Sequence, residues 1–233
     1  MKTAGEQSAP ECVGIIMDGN RRWAKAKGLP VFEGHRAGYE RLKEVLRWSK
    51  EAGVKNVTVF AFSTENWKRA EDEVGYLMEL MRFVFRSEME TLRKERVRVL
   101  FAGDLSKLPA DLQKDCGRVK KETSADSEIT LTLCVSYGGR DEILRAARRL
   151  LSEACAPESV TEEKFASMLD TAGTPDPDLI IRTSGEQRVS GFLPWQSVYS
   201  ELFFTDTLWP DFSKEEYFGI LKKFGERNRR HGK

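Results

Sequence analysis

Histidine is scarce in this sequence: only His35 and His231 occur. A histidine-rich metal centre is excluded, and any Ser-His-Asp machinery would have to use one of these two. Cysteine is sparse as well. Cys12, Cys116, Cys134 and Cys155 lie far apart, with no metal-knuckle or redox spacing between any pair, so reduced thiols are expected. No apolar run approaches the roughly 20 residues of a membrane span, and the opening MKTAGEQSAPE lacks an apolar signal core. A cytoplasmic protein is expected, with contact at a membrane surface left open. The familiar signatures G-x-x-x-x-G-K-[ST], G-x-G-x-x-G, H-E-x-x-H and G-x-S-x-G are missing too. Net charge is almost absent: 38 Lys and Arg face 37 Asp and Glu, a formal +1. That balance argues against a dedicated polyanion binder, so no nucleic-acid partner is expected.

What is present fits one globular domain. The chain has 233 residues, 40% of them hydrophobic and 32% charged, enough to bury an ordinary core without staples. Residues 1–11 read as a flexible tail and 12–233 as the domain; the Pro-rich stretch 174–177 is too short for a linker. Strand-like runs at 12–17, 57–62, 97–102, 129–135 and 178–181 alternate with helical patterns at 34–52, 72–95, after Pro109, 141–154, 161–170 and 214–228. This alternation predicts an α/β fold, a single domain with a mostly parallel central sheet flanked by helices.

The chemistry gathers just after the strands. Asp18-Gly19-Asn20-Arg21-Arg22 follows the first, Ser63-Thr64-Glu65-Asn66 the second, Gly103-Asp104 the third, Tyr137-Gly138-Gly139-Arg140 the fourth, and Arg182-Thr183-Ser184-Gly185-Glu186 the fifth. Any one such loop is ordinary turn chemistry. Five on the carboxyl edge of one parallel sheet predict a ligand site there. Arg21, Arg22, Arg182 and Arg188 supply guanidinium forks for phosphate oxygens, and glycines 19, 138 and 139 let backbone approach an anion. Backbone N–H groups at 19–22 would favour negative charge if they open a helix. Asp18 can hold a hard cation bridging phosphates, since Mg²⁺ typically takes one or two carboxylates plus phosphate and water. A magnesium-diphosphate site is the expectation.

The segments MDGNRRWAKAKG (17–28), GHRAG (34–38), FAFSTENWKR (60–69), SYGGRDEI (136–143), DLIIRTSGEQRVSGFLPWQSVYSELFFTD (178–206) and LWPDF (208–212) match a known pattern in order and spacing. The sequence resembles the cis-prenyltransferases, with undecaprenyl diphosphate synthase as the bacterial example, from about Val13 to Gly232. The resemblance implies condensation of isopentenyl diphosphate with an allylic diphosphate primer such as farnesyl or geranylgeranyl diphosphate. The product would be a Z-polyprenyl diphosphate, a lipid-carrier precursor, with diphosphate released. By resemblance, Asp18 binds Mg²⁺ and the allylic diphosphate, which Gly19, Asn20, Arg21 and Arg22 cradle while Trp23 and His35 complete the pocket. Arg182, Arg188, Val189 and Ser190 take the isopentenyl diphosphate. Glu201 is a second acidic metal contact at or near a homodimer interface. Ser63, Thr64, Glu65, Asn66, Trp67 and Arg69 form a mobile closing loop, and Asn66, or the Asp18 and His35 pair, assists proton removal. The resemblance also implies an apolar tunnel between sheet and helices, with Leu77, Met81, Phe85 and Met89 as candidate lining, alongside Val59, Phe62, Leu131 and Leu133 from the strands.

Three positions depart from the bacterial pattern. Arg21 stands where a glycine is usual, Val31 where an arginine follows the GLP-like turn, and Pro194 is uncommon in FLPW. Arg21 is expected to replace the missing cation at Val31. Small Ala61 favours medium or long products. A non-catalytic partner subunit is disfavoured because Asp18, Asn20, Arg22 and Arg182 are all present. The basic end at Arg227, Arg229, Arg230, His231 and Lys233 reads as a solvated helix terminus.

Overall fold

The computed structural model describes residues 9–227. Most of the predicted tail lies outside this range, as do Arg229, Arg230, His231 and Lys233. Of the remaining tail positions, Pro10 is buried and the Glu11 N–H donates to Asp178 Oδ2 at 2.7 Å.

Six strands form one all-parallel sheet. These are β1 (Cys12–Ile16), β2 (Asn56–Ser63), β3 (Val97–Ala102), β4 (Ile129–Tyr137), β5 (Leu179–Arg182) and β6 (Glu201–Phe204), in the order β3-β4-β2-β1-β5-β6. β1, reading CVGII, is buried at every position. That continuous apolar run is what a central parallel strand with both faces covered requires. β1 pairs with β2 on one side and β5 on the other, so the direction of winding reverses at β1. Ligands bind at such a switch point, beyond the carboxyl ends of the strands.

The helices are α1 (Asn20–Ala26), α2 (Val31–Glu51), α3 (Glu71–Ser87), α4 (Met89–Lys94), α5 (Ala110–Glu122), α6 (Gly139–Ser152), α7 (Glu162–Ala166) and α8 (Lys214–Glu226). Among the described residues, none is long and apolar enough to cross a membrane. Val13 and Ile15 face the larger core with Leu42, Val45, Leu77, Phe85, Trp209 and Phe224. Ile16 faces the opposite side, in a smaller cluster with Cys134, Tyr137, Phe192 and Leu193. The period-two alternation of a strand divides the layers in this way. All four cysteines are free thiols.

The helical pattern at 72–95 is two helices, because the chain leaves helical geometry at Glu88 with φ −101° and ψ 7°. The break lets α3 pack on α5 while α4 turns onto β3. Met89 lies in the main core on the far side of the break. The sixth strand was not predicted: ELFF is four residues long, too short for periodicity to register.

Gly139 opens α6 where the loop after β5 presses closest. Its N–H donates to Gly191 O at 2.9 Å, and a Cβ there would sit 2.0 Å from Pro194 Cδ. The proline ring cannot swing aside, so Gly139→Ala is expected to destabilise the fold by about 1–3 kcal/mol through overpacking. Urea unfolding of both proteins measures this, and an unchanged midpoint would contradict the packing argument.

Candidate active site

The carboxyl ends of β1 and β5 carry the centre of the site. Asp18 follows β1 in a turn fixed by Thr183. The Asp18 N–H donates to Thr183 Oγ1 at 3.0 Å, and that hydroxyl donates back to Asp18 O at 2.7 Å. The parallel register Ile16↔Arg182 then sets Arg182 beside Asp18, 164 residues apart in sequence. Arg182 is 5% exposed. Its NH2 donates to Asp18 Oδ2 at 2.9 Å and its NH1 to Ser190 Oγ at 2.8 Å and Arg188 O. Arg22 adds a second cation 3.6 Å from Asp18 Oδ1. Burial opposes ionisation of Asp18, but the hydrogen bond and charge of Arg182, with Arg22, hold its pKa below the ordinary carboxylate range.

Gly19 has φ 109°, and a Cβ would meet Leu208 Cδ2 at 2.9 Å, so the turn from strand to helix requires glycine. Arg22 continues across the gap to Ser184, donating to its carbonyl at 3.0 Å and to its hydroxyl. Ser184 itself sits at φ 77°, a left-handed conformation costly for serine and typical of functional loops. The glycines of the GHRAG segment turn out to serve packing. A Cβ on Gly34 would lie 2.1 Å from Asn20 O, and one on Gly38 would lie 2.4 Å from Asn20 Oδ1. They let α2 pass against the turn that carries Asn20.

A cleft of about 650 Å³ opens over this turn, lined by Asp18, Gly19, Asn20, Arg21, Arg22, Lys25, Val31, His35 and Arg69 among others. Two polar atoms beside it have no hydrogen-bond partner although buried: Asn20 Oδ1 and Arg182 Nε. Orphaned polar atoms of this kind leave hydrogen-bonding capacity that a ligand or an ordered water can take up. Above the cleft, Glu73 is a hub. It accepts from Arg69 at 2.8 Å, meets His35 Nε2 at 3.2 Å, and lies 3.7 Å from Arg21. Burial lowers the His35 pKa, Glu73 opposing and Arg69 and Arg21 assisting, so the imidazole is neutral at pH 7. The Glu73 carboxylate fixes Nε2 as the protonated nitrogen and leaves Nδ1 as the acceptor. Glu73 and Lys25 were not among the residues singled out from the sequence, and Thr183 and Ser184 stood out only as part of the loop after the fifth strand; an acidic residue one turn past Arg69 was the only available sign of the hub.

The remaining predicted residues fall into three groups. Ser63, Thr64, Glu65, Asn66 and Trp67 form a capped turn in which the Ser63 N–H donates to Asn66 Oδ1 at 3.0 Å. Trp67 donates to Ser136 Oγ at 3.1 Å and packs edge-on against Phe62, and a Cβ on Gly138 would meet Thr64 Oγ1 at 2.5 Å. Arg188 is exposed and pairs with Glu186, while Val189 packs on the smaller core cluster. Trp23 and Glu201 are not brought to the cleft within one chain. The Trp23 indole N–H donates to Asp211 Oδ1 at 2.7 Å. Glu201 opens β6 in register with Leu179, and hence with Val13, at the opposite end of the strands from Asp18, and pairs with Arg227.

Beneath the cleft, a narrow apolar cavity of about 170 Å³ runs between the sheet and α2 and α3. Leu77, Met81, Phe85, Leu131 and Leu133 line it. Met89, Val59 and Phe62 do not: all three are buried in the main core, Met89 beyond the break at Glu88.

A parallel sheet with a cationic, water-facing cleft at its switch point and an apolar cavity below defines an α/β protein for an amphiphile with an anionic head. The family profile described as "Putative undecaprenyl diphosphate synthase" matches residues 16–232. An isoprenyl transferase of Rhizobium meliloti is 46% identical over 236 residues, covering 100% of this chain and 96% of that protein. Its counterpart in Thermotoga maritima is 47% identical, covering 96% and 97%. Among solved structures, lavandulyl diphosphate synthase from Lavandula x intermedia, in complex with dimethylallyl diphosphate, superposes with a TM-score of 0.92 at 33% identity, covering 98% of this chain and all of that one. A probable undecaprenyl diphosphate synthase from Campylobacter jejuni gives 0.81 at 33% identity, covering 96% and 99%. The chain belongs to the undecaprenyl diphosphate synthase family of isoprenyl transferases, and is a prenyl-transferring enzyme.

Proposed function

We propose that this enzyme condenses isopentenyl diphosphate with an allylic diphosphate primer and elongates a Z-polyprenyl diphosphate. One observation carries the reading: buried Arg182 joins Asp18 in the allylic cleft to Ser190 in the loop assigned to isopentenyl diphosphate. Two diphosphates bound there would be one guanidinium apart, which brings the reacting carbons together. The dimethylallyl diphosphate in the lavandulyl diphosphate synthase complex supports an allylic ligand.

The chemistry follows from the residues. Arg21, Arg22 and the orphaned Arg182 Nε stabilise the negative charge that develops as diphosphate leaves the allylic carbon. The isopentenyl double bond forms the new carbon–carbon bond, and a proton leaves with the assistance of Asn66 or of the Asp18 and His35 pair, in which His35 is neutral. Water would quench the allylic cation, so the Glu73 hub, by drawing α3 and Arg69 over the cleft, excludes it. Asp18 gives Oδ2 to Arg182 and is part-exposed to the cleft, which fits one carboxylate contact to Mg²⁺ with phosphate and water completing the shell. Bound there, Mg²⁺ would neutralise diphosphate charge. Glu201 lies on the edge strand β6 beside exposed Val198, Tyr199 and Leu202, which supports the homodimer reading and a role for Glu201 at that interface. Exposed Phe32 and Phe83 on the helices over the cavity suit contact with a membrane that receives the product.

Purified protein with Mg²⁺, farnesyl diphosphate and labelled isopentenyl diphosphate is expected to yield a longer polyprenyl diphosphate. Absence of elongation with primers from dimethylallyl to geranylgeranyl diphosphate would reject the assignment. Arg21 occupies the cleft near Val31, where the resemblance leads one to expect an arginine. Arg21→Gly is therefore expected to raise the allylic KM about tenfold, equivalent to about 1.4 kcal/mol. Equal KM values in steady-state assays would show that Arg21 does not replace the missing cation.

A further inference from the structure

The cavity beneath the cleft changes character along its length. At the cleft end it is bounded by Asn20 and His35. At the other end its walls are Lys43, Arg47 and Lys50 of α2, together with Glu88 and Glu95, which flank α4. His35 and Lys50 are fifteen positions apart on one continuous helix, about 22 Å of rise, so the two ends are well separated. Val97, the first residue of β3, lines the same far end, which places it at the amino ends of the strands.

This rim is tied together by ion pairs. Lys50 Nζ donates to Glu95 O at 2.8 Å and to Glu95 Oε2 at 3.1 Å. Arg47 Nε reaches Glu95 Oε1 at 3.2 Å, and Lys43 Nζ lies 3.8 Å from Glu88 Oε1. The Lys50, Glu88 and Glu95 side chains are 21%, 18% and 34% exposed. An apolar chain arriving here gains no further apolar contact. To pass, it must part Lys50 from Glu95 and cover both with hydrocarbon, and a desolvated charge without a partner is costly.

We infer that the Lys50–Glu95 rim is the stop that ends chain growth, so that these two residues determine product length. The inference rests on the elongation reading above. The stop differs from a bulky apolar floor, since it works by the cost of separating charges.

The test is product length. Lys50→Met/Glu95→Leu replaces the pair with apolar groups of similar size and leaves no buried charge alone, while Arg47 stays exposed. Its longest product is expected to exceed the wild-type product by at least one isoprene unit, with the first condensation still proceeding because both positions are remote from Asp18. Thr91→Trp, at a cavity-lining position of α4 between Glu88 and Glu95, is expected to shorten the product by filling the cavity beside the rim. It decides the matter if circular dichroism shows the double variant unfolded. A wild-type chain-length distribution in a folded Lys50→Met/Glu95→Leu protein overturns the inference, as does one in Thr91→Trp. No product from the wild-type enzyme with any primer would instead remove the elongation reading and this inference with it.

Discussion

Asp18→Asn is expected to lower kcat about 100- to 1,000-fold with the fold preserved, the scale measured when one preorganised electrostatic contact is removed from an active site. Asparagine keeps an oxygen for Arg182 to donate to and loses only the charge. Asp18 is part-exposed, and Arg182 retains its bonds to Arg188 O and Ser190 Oγ, so the melting temperature should fall by only a few degrees. The separation of a large kinetic effect from a small stability effect is the point of the experiment. Turnover within a fewfold of wild type would mean that the charge of Asp18 serves structure alone. The depressed folded-state pKa of Asp18 sets the sign of its pH dependence. Its stabilising contribution is complete above the unfolded carboxylate range and is lost as pH falls through the lower folded value. Acid unfolding of wild type and Asp18→Asn should therefore converge at low pH.

Arg182→Met should be the more damaging change to substrate binding. The guanidinium is buried and divided between Asp18 on one side and Ser190 and Arg188 O on the other. A methionine fills similar space but leaves Asp18 with only the more distant Arg22 and releases the 188–190 loop. The KM for isopentenyl diphosphate is expected to rise at least about tenfold and kcat to fall by about 100-fold, as befits loss of a charge-assisted network. Arg182→Lys is expected to rescue little, because one ammonium cannot reach both partners in a fork. Arg188→Ala, at an exposed residue already paired with Glu186, should affect the KM less than either. A kinetic profile of Arg182→Lys close to wild type would show that charge alone suffices and that the bridging geometry is incidental.

The sequence signals that succeeded were local ones. Apolar runs ended by Asp-Gly, Ser-Thr or Gly-Gly mark strands and the turns after them, and the first of those turns, Asp18 to Arg22, lines the cleft. The signals that failed concern what happens between segments. The pattern at 72–95 is continuous in the one-dimensional sequence, yet α3 and α4 have different partners, α5 and β3, and the chain bends at Glu88 to satisfy both. Trp23 stands in the middle of a site motif, but the rotation of α1 turns its indole to Asp211. Gly34 and Gly38 belong to a segment that carries the family resemblance, and only the packing shows them to be the relief that α2 needs to cross Asn20.

The sequence alone determined the class of fold, and it pointed to the carboxyl edge of the sheet and to an anionic ligand. Each follows from properties read over a few neighbouring residues: periodicity, turn chemistry and the placement of arginines within an almost neutral chain. Tertiary structure decided which of those residues meet. Parallel register between β1 and β5 joins Asp18 to Arg182 across 164 positions, and packing of α3 on α2 makes Glu73 the shared partner of His35, Arg69 and Arg21. The same register sends Glu201 to the far end of the strands. Such pairings depend on how elements are stacked in space, and that information is absent from the spacing of residues along any one of them.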